Sequence, residues 1–356
     1  MNKTCKMYMK TAVKLAQNGG SDVYPNPQVG CVIVKDNKIV GQGYHEFFGG
    51  PHAEINALAQ AGKNAAAADL YVTLEPCNTY GKRPPCVQAI LKSGIKRVFF
   101  AINDPYSAKG ADFLRANGVE VCGGVCKKEA SALVKDFFRH KKSKPLISMK
   151  AAMTLDGKIA TSVYDSKWIS SAKSRDFAHK LRTRYDAVLI GKNTALEDNP
   201  VLTSHGKGRN PIRVLIDFNL DVPPDYYLYG GSVPTIVVYD ERQKIMYPGV
   251  EKMIFVPVDA SKAKKDFKII RDTLLGLGIK TILIEGGGEI FSSALFSGCV
   301  DDLYIFIAPK IIGGKNAVSV VGGAGVDRID YALKIKDMRI SKFGDDFLVR
   351  GKCLQE

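Results

Sequence analysis

Four side chains in the first hundred residues have the types and order needed for metal-assisted hydrolysis. They are His52 and Glu54 in Pro51-His-Ala-Glu54, and Cys77 and Cys86, each preceded by a proline. One imidazole and two thiolates leave the fourth position of a tetrahedral zinc ion open, as in a catalytic site; a structural ion is closed by four protein ligands. Two thiolates cancel the formal charge of the ion, yet it still lowers the pKa of a bound water toward neutrality. Glu54, two residues from His52, can face the same place without being a ligand. There a carboxylate takes a proton from that water and delivers it to a leaving amine. Hydrolytic removal of a ring amino group is the chemistry this set supports, usually with the cysteines as Pro-Cys-x-x-Cys; here eight residues separate them. The competing reading is a structural or vestigial zinc in a binding module, with Glu54 a solvated helix residue. Asn26, between two prolines, is either a pocket amide or a turn residue. His45, after Gly43-Tyr44, either faces the pocket or ends a hairpin.

In the second half the candidate group is main chain. Thr281-Ile-Leu-Ile-Glu285 reads as a strand, Gly286-Gly287-Gly288 as a turn and 289–296 as a helix. Such a turn lets backbone N–H groups approach a phosphate closely, although ordinary strand–helix turns use glycine too. Two more loops join it: Lys167-Trp168-Ile-Ser-Ser171 before a helix, and Gly191-Lys-Asn-Thr194 to Asp198-Asn-Pro200 after a strand. Trp168, the single tryptophan, is equally a candidate for the core. Cys122, ending an apolar strand, reads as core packing, Cys31 lies inside a strand, and Cys5, Cys299 and Cys353 have no partner in spacing.

Strands and helices must alternate to position these groups. The patterns predict helices at 6–17, 53–61 (with Pro51 at the first helical position), 86–92, 171–183 and 262–277. Strands are predicted at 29–34, 39–44, 70–74, 97–102 and 119–122, and then at 146–152, 187–191, 212–217, 235–239, 252–256, 281–285, 303–308 and 347–352. That alternation is an α/β fold. A length of 356 residues exceeds the ~100–150 of a usual domain, and the charge run Arg139-His-Lys-Lys-Ser-Lys-Pro145 marks a boundary, giving domains 1–144 and 145–356. No apolar run reaches the ~18 residues of a membrane span, the first ten residues do not form an export signal, and the eight cysteines follow no disulfide framework. A reducing cytoplasm follows. Of the net charge of +15, residues 1–150 carry +11, as 22 basic against 11 acidic side chains. Aromatics do not interleave with the basic residues as in single-strand binders, so a small phosphorylated ligand is favoured over nucleic acid.

Pro25-Asn-Pro-Gln-Val-Gly30, Pro51-His-Ala-Glu54, Thr73-Leu-Glu-Pro-Cys77 and Gly81-Lys-Arg-Pro-Pro-Cys86 are joined by Thr154-Leu-Asp-Gly-Lys158, Lys167-Trp168-Ile169, Asp198-Asn-Pro200 and Glu285-Gly-Gly287. Together, over nearly the whole chain, they resemble the bifunctional deaminase–reductase family of riboflavin biosynthesis. The resemblance implies a cytidine-deaminase-like α/β/α domain followed by a dihydrofolate-reductase-like α/β domain. One Zn2+ per chain would be held by His52, Cys77 and Cys86, with Glu54 catalytic. The substrate would be 2,5-diamino-6-(5-phosphoribosylamino)pyrimidin-4-one, deaminated at the ring and then reduced by NADPH from ribosyl to ribityl. Asn26, His45 and Lys82 would contact it in the deaminase. In the reductase Ala152, Trp168, Thr194, Asp198, Gly287 and Gly288 would contact cofactor, and Ser166, Arg182, Leu202, His205 and Glu285 substrate, Arg182 on its phosphate. It also implies a homo-oligomer, dimer or tetramer, without nucleic-acid or membrane partners.

The chain departs from the family pattern in four places. His205 replaces the usual Arg after Leu202-Thr-Ser, Phe218 replaces a small polar residue after Asp217, and Asp104-Pro-Tyr-Ser and Asn78-Thr-Tyr80 are unusual. His205 is mostly neutral near pH 7, which puts phosphate affinity in the reductase in question. A single-activity deaminase with an impaired reductase half, and a nucleic-acid base deaminase with an accessory domain, therefore stand as alternatives.

Overall fold

The computed structural model describes residues 3–80, 83–106, 109–141, 145–245 and 252–354. The chain divides into two compact units, Met1–Lys141 and Lys142–Glu356. The charge run at 139–145 begins inside a helix that continues to His140, and its residues 142–144 lie outside the described ones.

In the first unit, helix α1 (Lys3–Ala16) leads to a hairpin of β1 (Gly30–Lys35) and β2 (Lys38–Tyr44). Asp36 and Asn37 turn it, both at positive φ, which is why Asp and Asn suit a tight hairpin. The unit continues as α2 (Ala53–Ala61), β3 (Asp69–Leu74), α3 (Cys86–Lys92), β4 (Arg97–Ile102), α4 (Gly110–Ala116), β5 (Glu120–Cys122) and α5 (Lys127–His140). The sheet runs β2-β1-β3-β4-β5, its last three strands parallel. Gly30 of β1 abuts Ala12 of α1, whereas Gly43, paired with Cys31, abuts Ala57 of α2. The two helices thus cover opposite faces, and one core joins Met9, Val32, Leu70, Val98 and Leu114.

Two expectations are corrected here. Cys122 is exposed, because β5 is the sheet's edge and the cysteine ends it. Helix α2 starts at Ala53, with His52 as its cap in extended backbone, so Pro51 precedes the helix. The cap residue keeps its ring free to turn toward the two thiols. Helices α4 and α5 were not expected from the sequence patterns.

The second unit opens with β6 (Leu146–Thr154), β7 (Lys158–Ala160), α6 (Ala172–Arg182), β8 (Ala187–Gly191), α7 (Lys192–Asp198), β9 (Ile212–Ile216), β10 (Thr235–Asp240) and β11 (Met253–Val258). It closes with α8 (Ala260–Ala263), α9 (Lys268–Gly276), β12 (Thr281–Gly286), α10 (Gly288–Phe296), β13 (Asp302–Ala308), β14 (Val318–Ser319), β15 (Ile335–Phe343) and β16 (Asp346–Cys353). Nine strands form one sheet, β11-β10-β9-β8-β12-β6-β13-β16-β15, parallel as far as β13 and antiparallel at β16 and β15. Ile147, Leu189, Val214 and Ile284 pack with α9 and α10 on one face; Val188, Ile190, Leu215 and Val237 pack with Leu202 and Leu228 on the other. Covering on both faces explains why these strands read as unbroken apolar runs. The single helix expected at 262–277 is instead two, α8 and α9. Between them Phe267 is fully buried and its N–H donates to Ser297 Oγ at 2.9 Å, a contact a continuous helix would forgo. No described helix is long and apolar enough to cross a membrane.

Candidate active sites

Two helix starts bring the metal-binding side chains of the first unit together. His52 caps α2, Cys86 is the first residue of α3, and Cys77 lies in the loop after β3. His52 Nδ1 lies 3.2 Å from Cys86 Sγ and 3.5 Å from Cys77 Sγ, and all three donor atoms fall within 4.8 Å of one another. A tetrahedron with Zn–N and Zn–S lengths of ~2.1 and ~2.3 Å has N–S edges of about 3.6 Å. The donor set therefore fits zinc in chemistry and in size. The Cys86 N–H donates to Cys77 Sγ at 3.4 Å, and helix N-termini favour the thiolate form. Hydrogen bonding from Cys86, aided by His52, brings the Cys77 thiol down to about 4, while Cys77 and burial push Cys86 up.

A cavity of 290 Å³ opens onto this cluster, lined by Asn26, His45, His52, Glu54 and Cys77. Glu54 is almost fully buried, and that burial raises its carboxyl to about 6, in the range useful to a group that both takes and gives a proton. His45 Nδ1 lies 2.9 Å from the Pro51 carbonyl, which only accepts, so the proton sits on Nδ1. Its Nε2, 3.1 Å from Asn26 Nδ2, then accepts, and the Asn26 amide is oriented with its oxygen free for a ligand. Burial lowers the His45 pKa and keeps the ring neutral. Both residues, left open between pocket and turn, thus line the pocket. Lys82 lies outside the described residues. Arg83, Tyr106, Phe137 and Lys141 also line the cavity; Phe137 belongs to α5 and Lys141 directly follows that helix, which the sequence patterns did not indicate.

The Cys77 loop is held from behind. Glu75 accepts the N–H groups of Asp104 and Ala111 at 3.1 and 2.9 Å, joining the loops after β3 and β4. Gly110 is required there, since a Cβ would stand 1.9 Å from the Pro76 carbonyl oxygen.

In the second unit a cavity of 750 Å³ lies at the carboxyl ends of β8, β9 and β12, lined by Ser166, Thr194, Asp198, Gly287 and Gly288 among others. This is where open parallel sheets bind nucleotides. Gly287 has φ +89° and caps α10, so the helix start presents bare main chain to the cavity, fit for a diphosphate. Ser166, expected against substrate, sits on this wall and donates to Asp198 at 2.9 Å. Ala152 and Trp168 are not on the wall. Trp168 is 61% exposed, with the Arg175 guanidinium 4.3 Å over its ring, so it is not a core residue.

Of the remaining substrate candidates the fold gathers Arg182, Glu285 and His205. Arg182 grips Glu285 through Nε and Nη2 at 2.6 and 3.0 Å and donates Nη1 to the Thr203 carbonyl at 2.7 Å. Three of its five N–H groups are thereby committed. Lys150 Nζ reaches Glu285 at 3.3 Å. Burial opposes ionisation of Glu285, but Arg182 and Lys150 outweigh it and bring the carboxyl down to about 2. His205 stacks on His179, ring centroids 4.0 Å apart. Burial and neighbouring charge lower both imidazoles, His179 to about 4. Leu202 buries its side chain in the apolar layer, so only its main chain is open to a ligand. Lys150 and His179 were not singled out in the sequence; the available signal was a lone lysine in the apolar strand β6.

Comparison with known proteins agrees with both units. Residues 2–102 match the family model for the cytidine and deoxycytidylate deaminase zinc-binding region, and 145–349 the model for the RibD C-terminal domain. The riboflavin biosynthesis protein RibD of Aquifex aeolicus is 42% identical over 97% of each chain, and that of Escherichia coli 34% identical over 95% of this chain and 96% of its own. The crystal structure of a diaminohydroxyphosphoribosylaminopyrimidine deaminase/5-amino-6-(5-phosphoribosylamino)uracil reductase from Thermotoga maritima superposes with a TM-score of 0.83 at 35% identity. Acinetobacter baumannii RibD gives 0.85 at 31%; both cover 99% of each chain.

Proposed function

This chain belongs to the family of bifunctional deaminase–reductases of riboflavin biosynthesis, and from that premise we propose how each unit does its part and on which substrate. The first unit deaminates 2,5-diamino-6-(5-phosphoribosylamino)pyrimidin-4-one; the second reduces the ribosyl side chain of the product to ribityl. Full-length similarity to such enzymes sets aside the nucleic-acid deaminase alternative. The observation that carries the mechanism is the three-donor cluster of His52, Cys77 and Cys86, facing a pocket that also contains Glu54.

His52, Cys77 and Cys86 would hold a zinc ion, which would supply a water acidified toward neutrality. Glu54 accepts a proton from that water and donates it to the departing ring amine. Asn26, fixed by His45, orients the ring through its amide. The main chain at Gly287 and Gly288 would hold the diphosphate of NADPH, which would supply a hydride to the ribosyl carbon. Arg182 and His205 meet the substrate phosphate, with Glu285 and Lys150 positioned beside it. The cytoplasm suits this assignment because all eight thiols are free. The chain also assembles as a homo-oligomer: β15 is a sheet edge and exposes Met338 and Ile340, a surface a second copy can cover. Sedimentation should show two or more chains per particle; a monomer at micromolar concentration refutes the assembly.

Incubating the purified protein with the diaminopyrimidine phosphate tests the reading. Without NADPH the deaminated ribosyl compound should accumulate, and with NADPH the ribityl compound should replace it. Recovery of unaltered substrate in both cases overturns it.

A further inference from the structure

We infer that Lys264 makes the reductase cavity select a dinucleotide with a phosphate on its adenosine ribose. This rests on reading that cavity as the NADPH site. The cavity reaches from α10, where main-chain N–H groups suit the diphosphate, to Phe218 and Asn219 just beyond β9. In the sheet order β9 lies two strands from β12, about 10 Å away at the usual strand spacing. A dinucleotide with its diphosphate at α10 can therefore extend its adenosine ribose toward β9; in doubly wound dinucleotide-binding sheets an acidic residue beyond the diphosphate strand accepts the 2′-hydroxyl of an unphosphorylated cofactor.

No carboxylate takes that part here. Asp217, the acid after β9, is 1% exposed, and its Oδ2 accepts the Val222 N–H at 2.8 Å, inside the protein. The next residue is Phe218, and Lys264 holds its ammonium 5.5 Å from the centre of that ring. A cation over an aromatic face is fixed in place while staying available to an anion. Lys264 owes its position to the break between α8 and α9, which puts it at the end of a four-residue helix with its side chain on the cavity wall.

The charge balance of the wall points the same way. Its other basic side chain, Lys192, is paired with Asp221 at 2.6 Å. Among the described residues no carboxylate lies within ion-pairing distance of Lys264. Glu197, Asp198 and Glu289 also line the cavity, so beyond the main-chain N–H groups of α10 its attraction for an anion rests on Lys264. An uncompensated ammonium held at the ribose end meets a 2′-phosphate and has nothing to gain from a 2′-hydroxyl.

Calorimetric titration of the intact protein with 2′,5′-ADP and with 5′-AMP tests this without turnover. The wild type should prefer 2′,5′-ADP by roughly tenfold to a hundredfold, the scale of one charge-assisted hydrogen bond. Lys264→Gln should lose most of that preference with 5′-AMP binding nearly unchanged, and Lys264→Arg should keep it. Lys264 is exposed, so neither change disturbs the core, and equal melting temperatures would verify that. An unaltered preference in Lys264→Gln overturns the assignment to Lys264 while leaving the dinucleotide site standing. Failure of the wild type to bind either probe or NADP overturns both.

Discussion

Glu54 is a carboxyl group taken almost wholly out of water at the first turn of a helix, with no basic side chain in ion-pair contact with it among the described residues. A structural role would be served as well by a neutral residue, so the burial marks it for proton transfer. Glu54→Gln should retain about one zinc per chain, since the three metal-binding atoms are on other residues, and deamination should fall by roughly 10²–10⁴. Metal analysis beside single-turnover assays checks this, and near-normal turnover would assign the proton to another group. His205 gives a second prediction. Burial and Arg182 hold its pKa below the ordinary value, and His179 stacks against it, so the free site is neutral at pH 7. A bound phosphate favours the protonated ring and raises that pKa. Affinity is therefore gained as pH falls and lost as it rises, and the reductase KM should climb as pH rises through the imidazole range. His205→Arg should flatten the profile and lower KM near neutrality. Parallel profiles for the two proteins would place His205 away from the phosphate.

The elements that carry these residues meet at close quarters, and the zinc cage is sensitive to that packing. Helix α4 abuts the Pro76 carbonyl at Gly110, one residue from Cys77. Gly110→Ala forces either α4 or the cysteine loop to move, at a cost of about 1–3 kcal/mol for overpacking. Because Cys77 is on that loop, the variant should melt at lower temperature and also lose zinc faster to a chelator than the wild type. Unchanged metal retention would mean that α4 alone gives way.

At the scale of the whole chain, two units with separate sheets and separate cores suggest separate folding. A fragment of residues 1–144 should be well dispersed, bind zinc and deaminate with no nicotinamide present. An unfolded fragment would show that the first core needs the second unit for stability.

Much of this molecule could be read before any coordinates, for a chemical reason. Zinc and proton transfer demand particular residue types, so His52, Glu54, Cys77 and Cys86 stand out in a string of letters. Parallel strands buried on both faces likewise write themselves as apolar runs, and α3 and β4 fall where those patterns put them. Amphipathic helix α5 shows no such chemistry, and its Phe137, with Lys141 just past its end, reaches the deaminase pocket only because the chain folds back over the sheet. The neutral stack of His179 on His205, the grip of Arg182 on Glu285, the break that presents Lys264 and the inward turn of Asp217 depend on distances between segments far apart in the chain. Local propensity has no access to such distances; packing sets them, together with the need to give every buried charge a partner.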